Sequence, residues 1–147
     1  MKFRFIVDKN REEEIVITAH ERTELVDRIE HLVMQYSGSD RIAVYLNDDL
    51  LMLPIHKIEC ITIIDGKTIA IDRTGTRYRL RQRLYEVEER LPASFIRINK
   101  STLANENHLE RFAVTITGSV DAVFKCGYRE YVSRRCFSAI KRRYEGK

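Results

Sequence analysis

From Arg41 onward, apolar residues alternate with polar ones in short runs that end at turn residues. Ile42–Leu46 is followed by Asn47-Asp48-Asp49, and Ile58–Ile64 is followed by Asp65-Gly66. A period of two is typical of strands, and Asp-Gly favours a tight hairpin because both positions tolerate positive φ. Parallel strands need a crossover of about a dozen residues or more, which these connections are too short to provide. The sequence therefore predicts a mainly β, mostly antiparallel domain.

The first 39 residues follow a different pattern. Lys2–Asp8 and Ile15–Ile17 are rich in β-forming residues and predict two short strands. Thr18–Glu21 has the spacing of a capping box, and Ser37-Gly38-Ser39 marks a helix end. Between them, apolar residues recur at helical spacing: Leu25, Val26, Ile29, Leu32, Val33 and Tyr36.

We therefore predict a strand-strand-helix segment over residues 1–39 and a β domain over residues 40–147. So small a unit buries its own apolar face poorly, which predicts that it mediates self-association as a homodimer. The alternative is that it packs on the β domain of the same chain.

Two short helices are predicted inside the β domain. Leu84, Val87 and Leu91 mark one that stops at Pro92, and the other is a basic helix at the end of the chain. The predicted core of this domain comprises Phe95, Ile98, Val114, Ile116, Phe124, Val132, Phe137 and Ile140.

Composition describes a globular chain, with 44% hydrophobic and 33% charged residues among 147. No apolar run approaches the ~20 residues of a membrane span. The stretch from Asp8 to Glu14 is almost all charged, so no signal core follows the N-terminus. These features predict a cytoplasmic protein.

Catalytic and metal-binding patterns are missing from the sequence. No Gly-rich phosphate loop occurs, and the four histidines lack ligand spacing. The three cysteines form no CxxC pair, which favours free thiols in a reducing compartment. We therefore predict no catalytic residues, no metal, no cofactor and no enzyme activity.

Positive charge is concentrated at the end of the chain. Residues 97–147 contain 11 Lys and Arg against 5 Asp and Glu, whereas residues 1–96 contain 15 against 17. Such a distribution is typical of a surface that binds a polyanion, although a solvated basic face without a partner would have the same composition.

Two basic patches contain the candidate contacts. One is centred on Asn99, Lys100 and Ser101, where the chain leaves a strand. The other begins with Ser133, Arg134 and Arg135 at the mouth of the last helix and continues to Lys141 and Arg142. Lys and Arg neutralise phosphates, and Arg pairs with guanine in bidentate fashion.

Arg135 is predicted to reach a base edge, whereas Lys141, Arg142 and Arg143 are predicted to touch only phosphate or solvent. Ser133 suits either a helix N-cap or a contact. Arg97, placed between Ile96 and Ile98, is expected to pair with a neighbouring acid.

Three stretches resemble the LytTR DNA-binding domain family: Arg83–Pro92, Phe95–Asn105 and Val132–Arg135. The similarity extends over roughly 41–144, and Asn99 stands where His is common in the family. The resemblance implies a ten-stranded β fold with short helices and major-groove contact through loops. It also assigns a contact loop to the hairpin that contains Lys67.

The resemblance further implies a transcriptional regulator that binds double-stranded DNA at promoter repeats. About forty residues precede the similar region, which is short for a receiver domain of ~100 residues, so the stand-alone type is expected. That type often has a co-encoded membrane protein as partner. The alternative function is a protein-interaction module that docks an acidic or membrane-bound partner and binds DNA weakly.

Overall fold

The computed structural model describes residues 1–37 and 40–145 of the chain. Residues 1–23 form neither helix nor strand, so the two strands predicted at Lys2–Asp8 and Ile15–Ile17 are wrong. The side chains of Phe3 and Phe5 are 92% and 79% exposed. A strand requires a neighbouring backbone to bond, and none is supplied to this segment by the rest of the described chain.

The first helix, α1 (Glu24–Ser37), begins later than predicted. Thr23, rather than Thr18, lies at its start, where its Oγ1 accepts a hydrogen bond of 3.4 Å from the backbone N–H of Val26. Met34 packs against the β domain, whereas Leu25 and Leu32 are exposed. The predicted helix end at Gly38-Ser39 and the side chain of Tyr36 lie outside the described residues.

Ten antiparallel strands form two sheets, which confirms the predicted fold class. The seven-stranded sheet has the order β2-β1-β5-β4-β3-β7-β6, and the three-stranded sheet has the order β10-β9-β8. The strands are β1 (Arg41–Leu46), β2 (Asp49–Pro54), β3 (Ile58–Ile64), β4 (Lys67–Asp72), β5 (Arg77–Leu80), β6 (Phe95–Asn99), β7 (Thr102–Asn105), β8 (Leu109–Val114), β9 (Val120–Phe124) and β10 (Arg129–Val132).

Two further helices, α2 (Leu84–Glu88) and α3 (Arg134–Tyr144), occur where the sequence predicts them. The β3–β4 hairpin turns at Asp65 and Gly66, whose φ angles of 51° and 76° agree with the Asp-Gly prediction. Among the described residues, no helix is both long and apolar enough to span a membrane.

The large sheet has a hydrophobic core on each face. Ile61 of β3 belongs to a core that also contains the buried residues of α2 and receives Met34 of α1. Cys60, the preceding residue, belongs to a second core shared with the three-stranded sheet and with Ile140 of α3. Because successive side chains of a strand point to opposite faces, β3 contributes to both cores.

The predicted core is partly right. Phe95, Ile98, Phe124, Val132 and Ile140 are buried, and Phe137 packs half-buried against the second core. Two of the predicted core residues, Val114 and Ile116, are instead 69% and 107% exposed. The β8–β9 hairpin extends past the core at this point, since Val114 pairs with Val120 in the last rung before the turn.

Candidate nucleic-acid interface

Two turns of the large sheet lie at the same edge, meaning the end of the sheet at which β3 finishes and β7 starts. Thr62 of β3 stands opposite Thr102 of β7 in an antiparallel pair, so the end of β3 and the start of β7 meet. The β3–β4 turn leads into Lys67, and the β6–β7 turn contains Lys100 and Ser101. Both lysines are exposed, and Ser101 is half-buried.

The junction between β10 and α3 is tied to this edge by two hydrogen bonds. The backbone N–H of Ser133 donates to the carbonyl oxygen of Ile98 over 2.9 Å. The Nδ2 of Asn99 donates to the carbonyl oxygen of Tyr131 over 2.6 Å. Three segments that are distant in the sequence thus present their loops side by side.

Asn99 uses its whole amide inside the protein. Its Oδ1 accepts a 2.8 Å hydrogen bond from the backbone N–H of Ser101, while its Nδ2 holds Tyr131. The residue is only 9% exposed. Asn99 therefore positions the β6–β7 turn against β10, and its predicted contact with DNA stays a prediction.

Arg97 also stabilises the β6–β7 turn, through contacts with Glu88 and Lys100. Its Nε lies 2.9 Å from Oε2 of Glu88, and its Nη1 donates to the carbonyl oxygen of Lys100 over 2.7 Å. The expected pairing with an acid is confirmed, and Lys100 is left as the exposed cation of the turn.

Ser133 caps α3, since its Oγ accepts a 3.2 Å hydrogen bond from the backbone N–H of Cys136. The cap fixes where the helix starts, so Arg134 and Arg135 become its first two residues. Both arginines are exposed beside the two turns.

Further positive charges lie along the exposed side of α3, at increasing distance from the edge. Residues seven apart lie nearly above one another on a helix, so Lys141 and Arg142 follow Arg134 and Arg135 along one side. Arg143 differs, because its Nη1 lies 2.6 Å from Oε1 of Glu106. Burial raises the pKa of Glu106, and the charge of Arg143 opposes that rise.

The predicted contact cations at this edge and on α3 lack acidic partners. None of Lys67, Lys100, Arg134, Arg135, Lys141 and Arg142 forms an ion pair with a residue in the described ranges. Their charges are therefore available to an outside anion.

One set of cations was missed by the sequence reasoning. Arg77, Arg79 and Arg81, along β5 and just after it, are all exposed, whereas the residues between them are half-buried or buried. The alternating Arg-x-Arg-x-Arg pattern could have indicated this row. Counting charge over residues 1–96 concealed it, because acids elsewhere in that range cancel these arginines.

Other residues with reactive side chains have structural contacts. Glu59, which is fully buried, lies 2.8 Å from Nδ1 of His108 and accepts a 2.7 Å hydrogen bond from the backbone N–H of Cys126. Burial raises the pKa of the Cys60 and Cys126 thiols, and it is the thiolate that acts as a nucleophile or metal ligand. Within the described ranges, no group of His, Cys, Asp and Glu side chains is arranged to hold a metal.

This chain is similar to known DNA-binding domains and transcriptional regulators. The family model for the LytTr DNA-binding domain matches residues 48–145. Uncharacterized HTH-type transcriptional regulators of Staphylococcus aureus are similar over almost the whole chain. The protein from strain MSSA476 is 29% identical over 139 residues, covering 95% of this chain and 94% of its own length.

The corresponding protein from strain NCTC 8325 / PS 47 is 27% identical over 144 residues, with 97% of each chain covered. A solved LytTr DNA-binding domain from Bacillus cereus has the same fold. It superposes with a TM-score of 0.64 at 23% identity and covers 71% of this chain and 96% of its own. Because the family model spans well over half of the sequence, this chain belongs to the LytTr DNA-binding domain family.

Proposed function

We propose that this protein is a transcriptional regulator that recognises a specific DNA sequence through loops at one edge of its large sheet. The observation that supports this most is the joining of three loops at one end of the sheet, here called the recognition edge. The cations at this edge form no ion pair with any described residue. The family match and the regulator names of the relatives support the same class of function. Since the target is chromosomal DNA, the protein acts in the cytoplasm.

Each cation has a distinct role in this proposal. Arg135, at the tip of the β10–α3 junction, enters a major groove and contacts a base edge, with guanine the best partner for its guanidinium. Lys100 and Ser101, held by Asn99, serve a neighbouring groove or its flanking phosphates. Lys67 acts from the β3–β4 turn.

Lys141 and Arg142 contact phosphates only, because they lie one to two turns further along α3. Two turns of helix move a side chain by ~11 Å, which takes these residues away from the loop tips. Ser133 contributes as the cap that sets the direction of Arg134 and Arg135.

Loop recognition is favoured over a recognition helix. In a helix-turn-helix, two consecutive helices are joined by a short turn. The described helices here are separated by strands, and α3 follows β10 directly. The inner side of α3 is also occupied, because Ile140 is buried and Phe137 packs in the second core.

The test compares Arg135→Ala with Arg142→Ala on a duplex from the gene's own promoter region and on a random duplex. Arg135→Ala should weaken binding to the promoter duplex by ~1–3 kcal/mol and relax preference at one base position. Arg142→Ala should weaken both complexes alike and flatten the salt dependence by about one unit of slope.

Arg73→Ala is the matched control, since Arg73 is an exposed arginine that follows β4 at the end opposite Lys67. It should leave both affinities nearly unchanged. Equal, small losses for Arg135→Ala and Arg142→Ala on both duplexes would show a general polyanion surface and contradict the proposal.

We also propose that residues 1–39 join two copies of the chain. Eight large apolar side chains of the first 17 residues are exposed: Met1, Phe3, Phe5, Ile6, Val7, Ile15, Val16 and Ile17. Leu25 and Leu32 of α1 are exposed as well. A standard interface takes about 800 Å² of surface from each partner. Monomers rarely expose patches above about 300–600 Å².

A second copy is the occupant that suits this surface best. The segment is strand-like in sequence but has no strand partner in its own described chain, and a second copy would supply an identical segment for antiparallel pairing. A dimer would also present two recognition edges, which suits paired promoter repeats.

A further inference from the structure

We infer that the end of β5 is an additional binding site for DNA phosphates, formed by Arg81 and Arg79. The inference rests on the proposed function, because the ligand is the same duplex. It extends the contacted stretch of DNA beyond the three loops of the recognition edge.

The register of the sheet places Arg81 at that edge. Thr68 of β4 stands opposite Leu80 of β5 in an antiparallel pair, so Arg81 follows at the level of Lys67. The strand order β5-β4-β3-β7-β6 puts β5 four strand spacings, or about 19 Å, from β6. Arg81 thus lies on the far side of Lys67 from the β6–β7 turn and the α3 junction.

Arg81 is held in place without losing its hydrogen-bonding capacity. Its guanidinium carbon lies 4.3 Å from the centroid of the Tyr45 ring. Stacking on an aromatic ring orients a guanidinium while its N–H groups remain free for an oxyanion, and their fork matches a phosphate. Neither Arg81 nor Arg79 forms an ion pair within the described part of the chain.

Arg79 stands directly behind Arg81 on the same side of the strand. It pairs with Tyr45 of β1 and with Ile69 of β4, and it is exposed. Residues two apart on a strand are separated by about 7 Å, so the two arginines form a row that leads away from the edge.

The strand beneath them is firmly anchored. Leu80 is buried, and the hydroxyl of Tyr78 donates a 2.9 Å hydrogen bond to Oδ2 of Asp72. The two arginines therefore project from a fixed surface, and their substitution should not disturb the fold.

Arg77 provides an internal control. It is exposed on the same side of β5, but it lies about 13 Å from the level of Arg81. It also stands opposite Ile71 of β4, which belongs to the second core, shared with the three-stranded sheet.

The experiment uses the full chain and the promoter duplex that contains the recognised repeat. Arg81→Ala should weaken binding to promoter and random duplexes by the same factor and reduce the slope of log affinity against log salt by about 0.9. Arg79→Ala combined with Arg81→Ala should reduce it by roughly twice that amount. Arg77→Ala should leave the slope unchanged, and Arg81→Lys should retain most of it because the charge is kept.

A second arm locates the contact on the DNA. Because β5 lies about 19 Å from β6, shortening the duplex by roughly five or six base pairs on that side should remove the contacted phosphates. On this shortened duplex, wild-type protein and Arg81→Ala should bind equally. On the shortened duplex, inorganic phosphate added at constant ionic strength should not make the affinities of wild-type protein and Arg81→Ala differ again. The reason is that the site needs phosphates that are fixed on a duplex.

Two results would overturn the inference. One is an equal loss of slope for Arg81→Ala and Arg77→Ala, and the other is a loss that persists on the shortened duplex. Failure of the proposed function has a different outcome, in which the wild-type protein itself shows no preference for the promoter duplex. Matching thermal unfolding curves for all variants exclude misfolding as the cause.

Discussion

Asn99 joins two segments of the candidate interface through its side-chain amide. Its amide joins the β6–β7 turn to the end of β10 through hydrogen bonds of 2.8 and 2.6 Å. An Ala at this position would leave the backbone carbonyl of Tyr131 and the backbone N–H of Ser101 without these partners. Unsatisfied buried groups cost about 1–3 kcal/mol each.

We predict that Asn99→Ala lowers the free energy of unfolding by ~1–3 kcal/mol and weakens binding to the promoter duplex. Denaturant titration and DNA titration measure the two effects. Lys100→Ala is the control, since it should weaken DNA binding with no measurable loss of stability. A stable Asn99→Ala variant that loses only affinity would indicate direct contact with DNA instead of positioning.

Ser133 is the second residue whose role is defined by its hydrogen bond. Ser133→Ala removes the cap of α3 and should lower the free energy of unfolding by about 0.5–2 kcal/mol. Ser133→Asn, which retains a capping oxygen, should keep most of that stability. Affinity for the promoter duplex should follow the same order, because the cap orients Arg134 and Arg135. A loss of affinity in both variants at unchanged stability would instead indicate that the hydroxyl touches DNA.

At the residue scale, the sequence allowed a side-chain contact to be predicted only where the two partners are close in the sequence. The cap at Ser133 involves a residue three positions away, and the Arg97–Glu88 pair joins residues nine apart. The bond from Asn99 to Tyr131 spans 32 residues, and only the tertiary structure reveals it. Polar residue types indicate a candidate surface. They do not show whether a side chain contacts a ligand or holds another part of the protein in place.

At the scale of elements, the β8–β9 hairpin shows that an alternating pattern predicts the face of a strand on which a side chain lies but does not predict its burial. Both Phe124 and Val114 were predicted to lie in the core, and Phe124 is fully buried. Val114 has the same pattern but lies where the hairpin has passed the core. A period of two gives the face on which a side chain lies, whereas burial depends on how far the opposing layer extends.

We predict that Phe124→Ala costs ~3–5 kcal/mol of unfolding free energy, because it opens a cavity in the second core. Val114→Ala should stay within about ±0.5 kcal/mol, as exposed substitutions usually do. Chemical denaturation of both variants checks the contrast. A large loss at Val114 would mean that the hairpin is covered by a partner in solution.

At the scale of the whole molecule, contacts within a single chain do not explain the apolar sequence of the first 23 residues. Their apolar side chains are exposed, and their strand-like sequence has no partner within the described residues. Sequence reasoning predicted two strands here because the residue types favour them. It could not identify the neighbouring backbone, since a strand depends on a second segment as much as on its own residues.

We predict that removing residues 1–22 converts a dimer into a monomer that retains α1 and the β domain, as measured by light scattering. Leu25→Ser combined with Leu32→Ser should weaken the dimer through the outer side of α1. Ile116→Ser is the control, because Ile116 is also an exposed apolar residue but lies at the β8–β9 turn, outside this surface. An unchanged mass after the deletion would contradict the proposed role of the segment.

The distribution of the recognition edge over three loops has an evolutionary consequence. Lys67, Lys100 and Arg135 are exposed and lie outside both hydrophobic cores. Under the proposed function, a mutation at any one of these positions alters promoter choice while the fold persists. Paralogues could diverge in their regulons one loop at a time, without first acquiring compensating changes in the protein interior.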